Sequence, residues 1–231
     1  MQILVTGGAG AVGTNLIEAL VKEHTVISWD NYSAGKESNH IEGVEYIKKD
    51  TRQTEYGDFD NIDLIYHLGE YSKIHPSFDI PELVFRYNME GSMRILEVAS
   101  KSNTPVVYSG SSTKLSYPGE LGSPYALFKS TVAKLFECYG NWYGLKYNIC
   151  YNEWQTVINI FRDQKKAGKN LTITGDGTQK RDFTHVEDIV QGLVLAGKNI
   201  NNEEYQLGTG NEYSILEIAK ESDHPRTYEV A

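Results

Sequence analysis

The chain has 231 residues, enough for one large or two small domains, and no internal repeat, low-complexity tract or long linker divides it. Its formal net charge of −9 argues against a nucleic-acid partner, whose recognition needs a basic face. Met1 runs straight into an apolar strand, no apolar run approaches the ~20 residues of a membrane span, and the two cysteines, Cys138 and Cys150, make no disulfide framework, so a cytoplasmic protein without a leader peptide or membrane segment is expected.

The first apolar run, Ile3-Leu4-Val5, leads into Thr6-Gly7-Gly8-Ala9-Gly10-Ala11-Val12-Gly13 and then into the amphipathic run Asn15–Val21. Strand, glycine turn and helix in that order describe a dinucleotide pyrophosphate site. Glycines let the backbone approach the phosphates, and the helix N-terminus offers free N–H groups. Two spacings fit: Gly8, Gly10 and Gly13, or Gly7, Gly10 and Gly13. Thr25–Trp29 reads as a second strand ending at Asp30, 17 positions beyond Gly13. That is near the ~20 expected of the acid that accepts from the adenosine ribose diol, and its charge would repel a 2′-phosphate, favouring NAD over NADP.

Val44–Ile47 alternates as a third strand and ends near Asp50, which could meet the adenine amino group or be a loop acid. Ile62–Gly69 reads as a fourth strand, and a helical pattern covers 81–102. Val106–Ser112 is a fifth strand, a second long helix spans about 124–142, and Lys146–Tyr151 is a sixth strand. Strands alternating with helices at this spacing predict a doubly wound α/β fold, a parallel sheet covered on both faces, over residues 1–150. Asp30, Asp50, His67 and Ser111 all fall at strand ends, where such sheets bind ligands. Val186–Gly197 is apolar at helical spacing and is expected to pack back onto this domain, the rest of 151–231 forming a small substrate lobe.

Tyr125 and Lys129 stand at i, i+4, on one helix face. An ammonium beside a phenol lowers the tyrosine pKa from its usual ~10 and suits it to general acid–base work. The same spacing at Tyr32 and Lys36 falls in a glycine loop and is read as coincidence. The six histidines show no metal-ligand spacing, and His67 and His185 read as satisfied strand-end residues.

These pieces, with Asp30-Asn31, His67-Leu68-Gly69, Asn88-Met89-Glu90-Gly91-Ser92, Ser109-Gly110-Ser111-Ser112-Thr113, Ser123-Pro124-Tyr125 and Gly175–Phe183, resemble the extended short-chain dehydrogenase/reductases of the nucleotide-sugar epimerase and dehydratase group. They run in family order along nearly the whole chain. The resemblance implies a Rossmann-type domain, NAD as cofactor, a UDP-sugar substrate and a homodimer through the helices after Asn88 and after Tyr125. It makes Ser111 the serine that holds the reacting hydroxyl, Tyr125 the base, and Lys129 the lysine that binds the nicotinamide ribose and tunes the tyrosine. Cofactor contacts are expected from Gly7, Gly10, Ala11, Val12, Gly13, Asp30, Asn31, Asp50, Leu68, Gly69, Asn88, Ser109, Tyr125 and Lys129. Substrate contacts are expected from Ser111, Ser112, Thr113 and Tyr125, with Arg181 and Arg226 on the diphosphate. No metal is implied.

Dehydratases and decarboxylases of the group carry an acid after the serine. Ser112 and Thr113 stand there instead, which favours an epimerase, with UDP-glucose and UDP-galactose at C4 as the expected pair. The rivals are a UDP-glucuronate epimerase, reductase or dehydratase of the same family, and a non-catalytic NAD-binding regulator. Two departures stand out. Glu70 replaces what is usually a small residue, and the stretches after Asn152 and before Pro225 are short, so the substrate lobe is expected to be incomplete.

Overall fold

Four of the five residues of the first strand are buried, the mark of a parallel strand covered on both faces, which reads as a continuous apolar run. The computed structural model describes residues 1–114, 119–152, 157–222 and 224–229. Its strands are β1 (Gln2–Thr6), β2 (Thr25–Asp30), β3 (Glu45–Lys48), β4 (Leu64–His67), β5 (Val106–Ser111), β6 (Tyr147–Asn152), β7 (Leu171–Thr174), β8 (Lys180–Asp182), β9 (Glu204–Leu207), β10 (Glu212–Ser214) and β11 (Arg226–Glu229). Its helices are α1 (Ala11–Leu20), α2 (Pro81–Phe85), α3 (Gly91–Ser102), α4 (Pro124–Tyr143), α5 (Val157–Lys166), α6 (Val186–Lys198) and α7 (Ile215–Glu221).

Seven strands form one parallel sheet in the order β3-β2-β1-β4-β5-β6-β9. Alternate residues of its strands serve opposite faces. Leu4, Ile65, Val106 and Tyr108 pack with Ile95, Leu96, Val132 and Phe136 of α3 and α4. Ile3, Val5, Leu64, Tyr66 and Val107 pack with Leu16 and Ile17 of α1 and Ile189 and Leu193 of α6. The chain is therefore wound on both faces, as the alternation of strands and helices predicts.

Strand β9 joins the sheet beside β6 and is absent from the sequence reading. Only Tyr205 and Leu207 of its four residues are partly buried, so this edge strand is short and half polar. The helical pattern over 81–102 resolves into α2, a π-helical turn (Arg86–Glu90) and α3. A separate small cluster of Phe161, Leu171, Ile173, Ile215 and Ala219 holds α5, α7 and the β7–β11 pair, and β8 pairs with β10. Among the described residues no helix is long and apolar enough to cross a membrane.

Candidate active site

The chain runs outward from β1 through β2 to β3, then returns to the other side of β1 as β4. That reversal opens a crevice at the strands' carboxyl ends, where open α/β sheets bind ligands. A cavity of about 940 Å³ lies there, lined by Gly7, Gly10, Ala11, Val12, Gly13, Asp30, Asn31, Leu68, Gly69, Glu70, Ser109, Ser111, Ser112, Thr113, Tyr125, Lys129 and Arg181, among others.

Its floor is the glycine turn. Gly7 has φ +72°, and a Cβ there would lie 2.8 Å from the carbonyl oxygen of Leu68. A Cβ on Gly13 would lie 2.3 Å from the carbonyl oxygen of Gly7, so the absent side chain lets α1 settle directly on the turn. Gly10 caps α1 with extended backbone and no side-chain hydrogen bond, so the first-turn N–H groups of Ala11, Val12 and Gly13, residues that line the cavity, have no side-chain cap. Gly8 has another role, since its missing Cβ makes room for Ser28 Oγ at 2.2 Å and Ile17 Cδ1 at 2.6 Å. The second of the two glycine spacings, Gly7, Gly10 and Gly13, is the one that faces the cavity. Asp30 is fixed beside it, accepting from the backbone N–H groups of Ala9 at 3.0 Å and Tyr32 at 2.7 Å. A cradle open to backbone approach, uncapped helix donors and a held carboxylate fit a dinucleotide.

Asn31 lines the cavity and donates to Asp50 Oδ2 at 3.0 Å. Asp50 itself lies behind that wall, accepting from Arg52 Nε at 2.9 Å and capping the turn at Thr51–Gln53. Burial pushes its carboxyl up, but the bonds from Arg52 and Asn31 outweigh this and hold it below the usual range. Asn88 is also behind the wall, on the π-helical turn. It accepts from Tyr71 N at 2.8 Å and donates to Tyr71 O at 3.1 Å, bracing the loop after β4. The backbone of Arg226 pairs with β7 in β11, and its side chain lies outside the described residues.

Ser111 ends β5, and Tyr125 sits in the first turn of α4. Ser123 caps that helix by accepting from Ala126 N at 3.0 Å, with Pro124 at the first position. This cap aims Tyr125 at Ser111, with which it shares a hydrogen bond. Ser111 also accepts from Thr113 Oγ1 at 3.0 Å. Lys129, one turn further on, reaches the same cavity.

One expectation is corrected here. Burial pushes the Tyr125 phenol up to about 12, the Ser111 hydrogen bond pulls it back, and the Glu70 carboxylate adds to the rise. The tuning expected from Lys129 is missing for a geometric reason: its ammonium is bonded to the Glu70 carboxylate and donates to Ser109 O at 2.6 Å. It also lies 4.3 Å above the Tyr108 ring.

Glu70 is the site residue that sequence reasoning missed. Its departure from the family pattern was visible, but its partners were not. Tyr108 donates to it at 2.9 Å and Ser92 at 2.7 Å. Behind Ser92 stands His67, with Nε2 2.8 Å from Ser92 Oγ and Nδ1 2.8 Å from Thr6 Oγ1. Thr6 Oγ1 already accepts from the N–H groups of Leu68 and Gly69. Its own hydrogen therefore goes to His67 Nδ1, His67 donates through Nε2 to Ser92, and Ser92 donates to Glu70. His67 and His185 are satisfied as expected, the latter capping α6, and no cluster among the described residues could hold a metal.

This is the site of a dinucleotide-dependent enzyme on a doubly wound sheet. The chain belongs to the NAD dependent epimerase/dehydratase family, whose pattern residues 3–208 match. It is 30% identical over 244 residues to a putative UDP-glucose 4-epimerase of Methanocaldococcus jannaschii, covering 94% of this chain and 80% of that one. It is 27% identical to UDP-glucuronic acid decarboxylase 1 of Arabidopsis thaliana, covering 95% of this chain and 57% of that one. Among solved structures, a UDP-glucose 4-epimerase of Thermotoga maritima with UDP-glucose superposes with a TM-score of 0.90 at 26% identity, over 100% of this chain and 86% of that one. The protein is therefore an NAD-dependent enzyme of the nucleotide-sugar epimerase and dehydratase family.

Proposed function

We propose that the protein interconverts C4 epimers of a UDP-hexose, with UDP-glucose and UDP-galactose as the pair. The observation that carries this reading is the convergence of Ser111, Tyr125 and Lys129 on one cavity with no acid beside Ser111. Asp30 and Glu70 are the carboxylates on the described wall. The first is held by the turn after β2, the second by Lys129. A dehydratase or decarboxylase needs a further group to move a second proton or stabilise charge, whereas an epimerase needs one base that returns what it takes.

The backbone of Gly7 and Gly10 to Gly13 would hold the NAD pyrophosphate, Asp30 the adenosine ribose, and Leu68, Gly69 and Ser109 the nicotinamide end. NAD, when bound, supplies the hydride acceptor and donor. Ser111 would hold the substrate hydroxyl, Tyr125 in its phenolate form would take the hydroxyl proton and, as the phenol, later give it back, and Ser112 and Thr113 would flank the sugar. Arg181, which lines the cavity, and Arg226 suit a diphosphate because a guanidinium donates in a planar fork. We also infer a homodimer through α3 and α4, supported by exposed Leu83, Phe85, Met93 and Leu127 on α2, α3 and α4.

The test is product formation from UDP-glucose, UDP-galactose and their N-acetyl and uronic forms. Interconversion of the first two without net oxidation is expected. Turnover of a uronic form alone would replace the hexose by a uronate. Binding of NAD and UDP without any product would make the protein a non-catalytic regulator. Tyr125→Phe keeps the ring and removes the base, so it should lower turnover by ~10²–10⁴ while NAD stays bound. A variant that epimerises at the parent rate would remove Tyr125 from the mechanism.

A further inference from the structure

Glu70 brings a negative charge into the part of the cavity where the reaction is assigned. Its side chain is 3% exposed and that of its partner Lys129 is 7% exposed. Three donors from three elements converge on this carboxylate: Ser92 from α3, Tyr108 from β5 and Lys129 from α4. Its position is set from behind by the directed chain Thr6, His67, Ser92, in which each side chain has its hydrogen committed. A buried charge persists only when paired and hydrogen-bonded, and here both conditions are met by residues far apart in the chain.

The consequence lies at Tyr125. A lone ammonium one turn along the helix would favour the phenolate. An ammonium already paired with a carboxylate has little net charge to offer. We propose that Glu70 is a positioning residue: its carboxylate clamps the Lys129 ammonium, cancels the charge that would favour the Tyr125 phenolate, and moves proton transfer at Tyr125 to higher pH. This rests on the reading of Tyr125 as the base. The ionisable groups facing the pair are His67 on β4, Tyr108 on β5 with Tyr151 of β6 next to it, and Tyr125 on α4. Burial holds His67 neutral and Tyr108 and Tyr151 protonated through neutral pH. None of them supplies the charge that Glu70 removes.

The experiment is an ultraviolet difference titration of the phenol, taken as each protein minus its own Tyr125→Phe counterpart. Glu70→Gln keeps the shape and removes the charge. Its Tyr125 midpoint should fall by about one pH unit or more, the scale of a changed neighbouring charge, and the acid limb of its kcat–pH profile should move the same way. Glu70→Asp keeps the charge and should stay near the parent midpoint. A purely structural Glu70 would lower stability in both variants and leave the phenol midpoint where it was, which overturns the proposal. Should Glu70→Gln fail to fold, Glu70→Ser, which puts a small residue there, serves as the second variant: a Tyr125 midpoint that falls as for Gln supports the clamp, and one that stays at the parent value overturns it. The titration needs no sugar, so a wrong choice of UDP-hexose leaves it intact. An active epimerase with an unmoved midpoint defeats only the role given to Glu70.

Discussion

His67 is fully buried between two hydroxyl groups, and burial lowers its pKa from the ordinary 6.5 to about 4. The Glu70 carboxylate pulls upward and Lys129 downward, so the two ends of the pair oppose each other at the ring. The folded protein thus binds fewer protons here than the unfolded chain between about pH 6.5 and 4. Stability from this group is fully present above about 6.5, declines as the pH falls, and is gone by about 4, a loss of about 3 kcal/mol by linkage. Urea midpoints at pH 7 and pH 5 check this. The parent should weaken across that interval by more than His67→Gln, which keeps a polar side chain without the titration. Equal pH slopes would show that the ring titrates normally. The sequence marked His67 as a satisfied histidine at a strand end. Its partner Ser92, 25 residues on, became visible only when α3 was laid against the sheet.

At the scale of the element, the turn from β1 into α1 sets two effects of glycine against each other. Alanine is the better helix former by about 1 kcal/mol, so Gly13→Ala would stabilise an isolated α1. In the fold the new methyl would lie 2.3 Å from the Gly7 carbonyl oxygen and 2.8 Å from Gly8 Cα. Both are backbone atoms that cannot rotate away. Overpacking of this kind costs about 1–3 kcal/mol, so the steric term wins. Gly13→Ala should lower the melting temperature and weaken NAD binding, because α1 must lift from the turn that forms the cradle. Calorimetric titration with NAD beside a thermal melt would detect both, and unchanged NAD affinity would mean that the first turn of α1 does not hold the pyrophosphate. The turn was legible because strand, glycines and helix are neighbours in the chain. The choice between its two glycine spacings was not, since that depends on Ser28 and Ile17 pressing on Gly8. The π-helical turn at Arg86–Glu90 was equally hidden within an ordinary helical pattern.

At the scale of the whole molecule, the cavity is shared between the main sheet and the small lobe. The sheet supplies Ser111, Tyr125 and the glycine turn, and the lobe supplies Ile160 and Arg181. Arg181→Ala should therefore weaken UDP binding, by less than the roughly 2–5 kcal/mol of a fully buried charge pair because Arg181 is partly exposed, and leave NAD binding as it was. Calorimetry with UDP and with NAD separates the two. An equal loss for both ligands would place Arg181 in the fold rather than on the diphosphate. By itself the sequence determined the parts of this protein whose signals are local. These are the apolar runs of β1, β2, β4, β5 and β6 and the alternating run of β3, the glycine turn, the i, i+4 spacing of Tyr125 and Lys129 on α4, and the ordered motifs that imply the family. The tertiary structure alone decided which side chains meet across the sheet: β9 beside β6, Asn88 against the Tyr71 backbone, and Glu70 against Lys129, 59 residues away. Helix and strand periods are set by neighbouring residues, but the charge that reaches a buried phenol depends on where the whole chain brings its ionised groups.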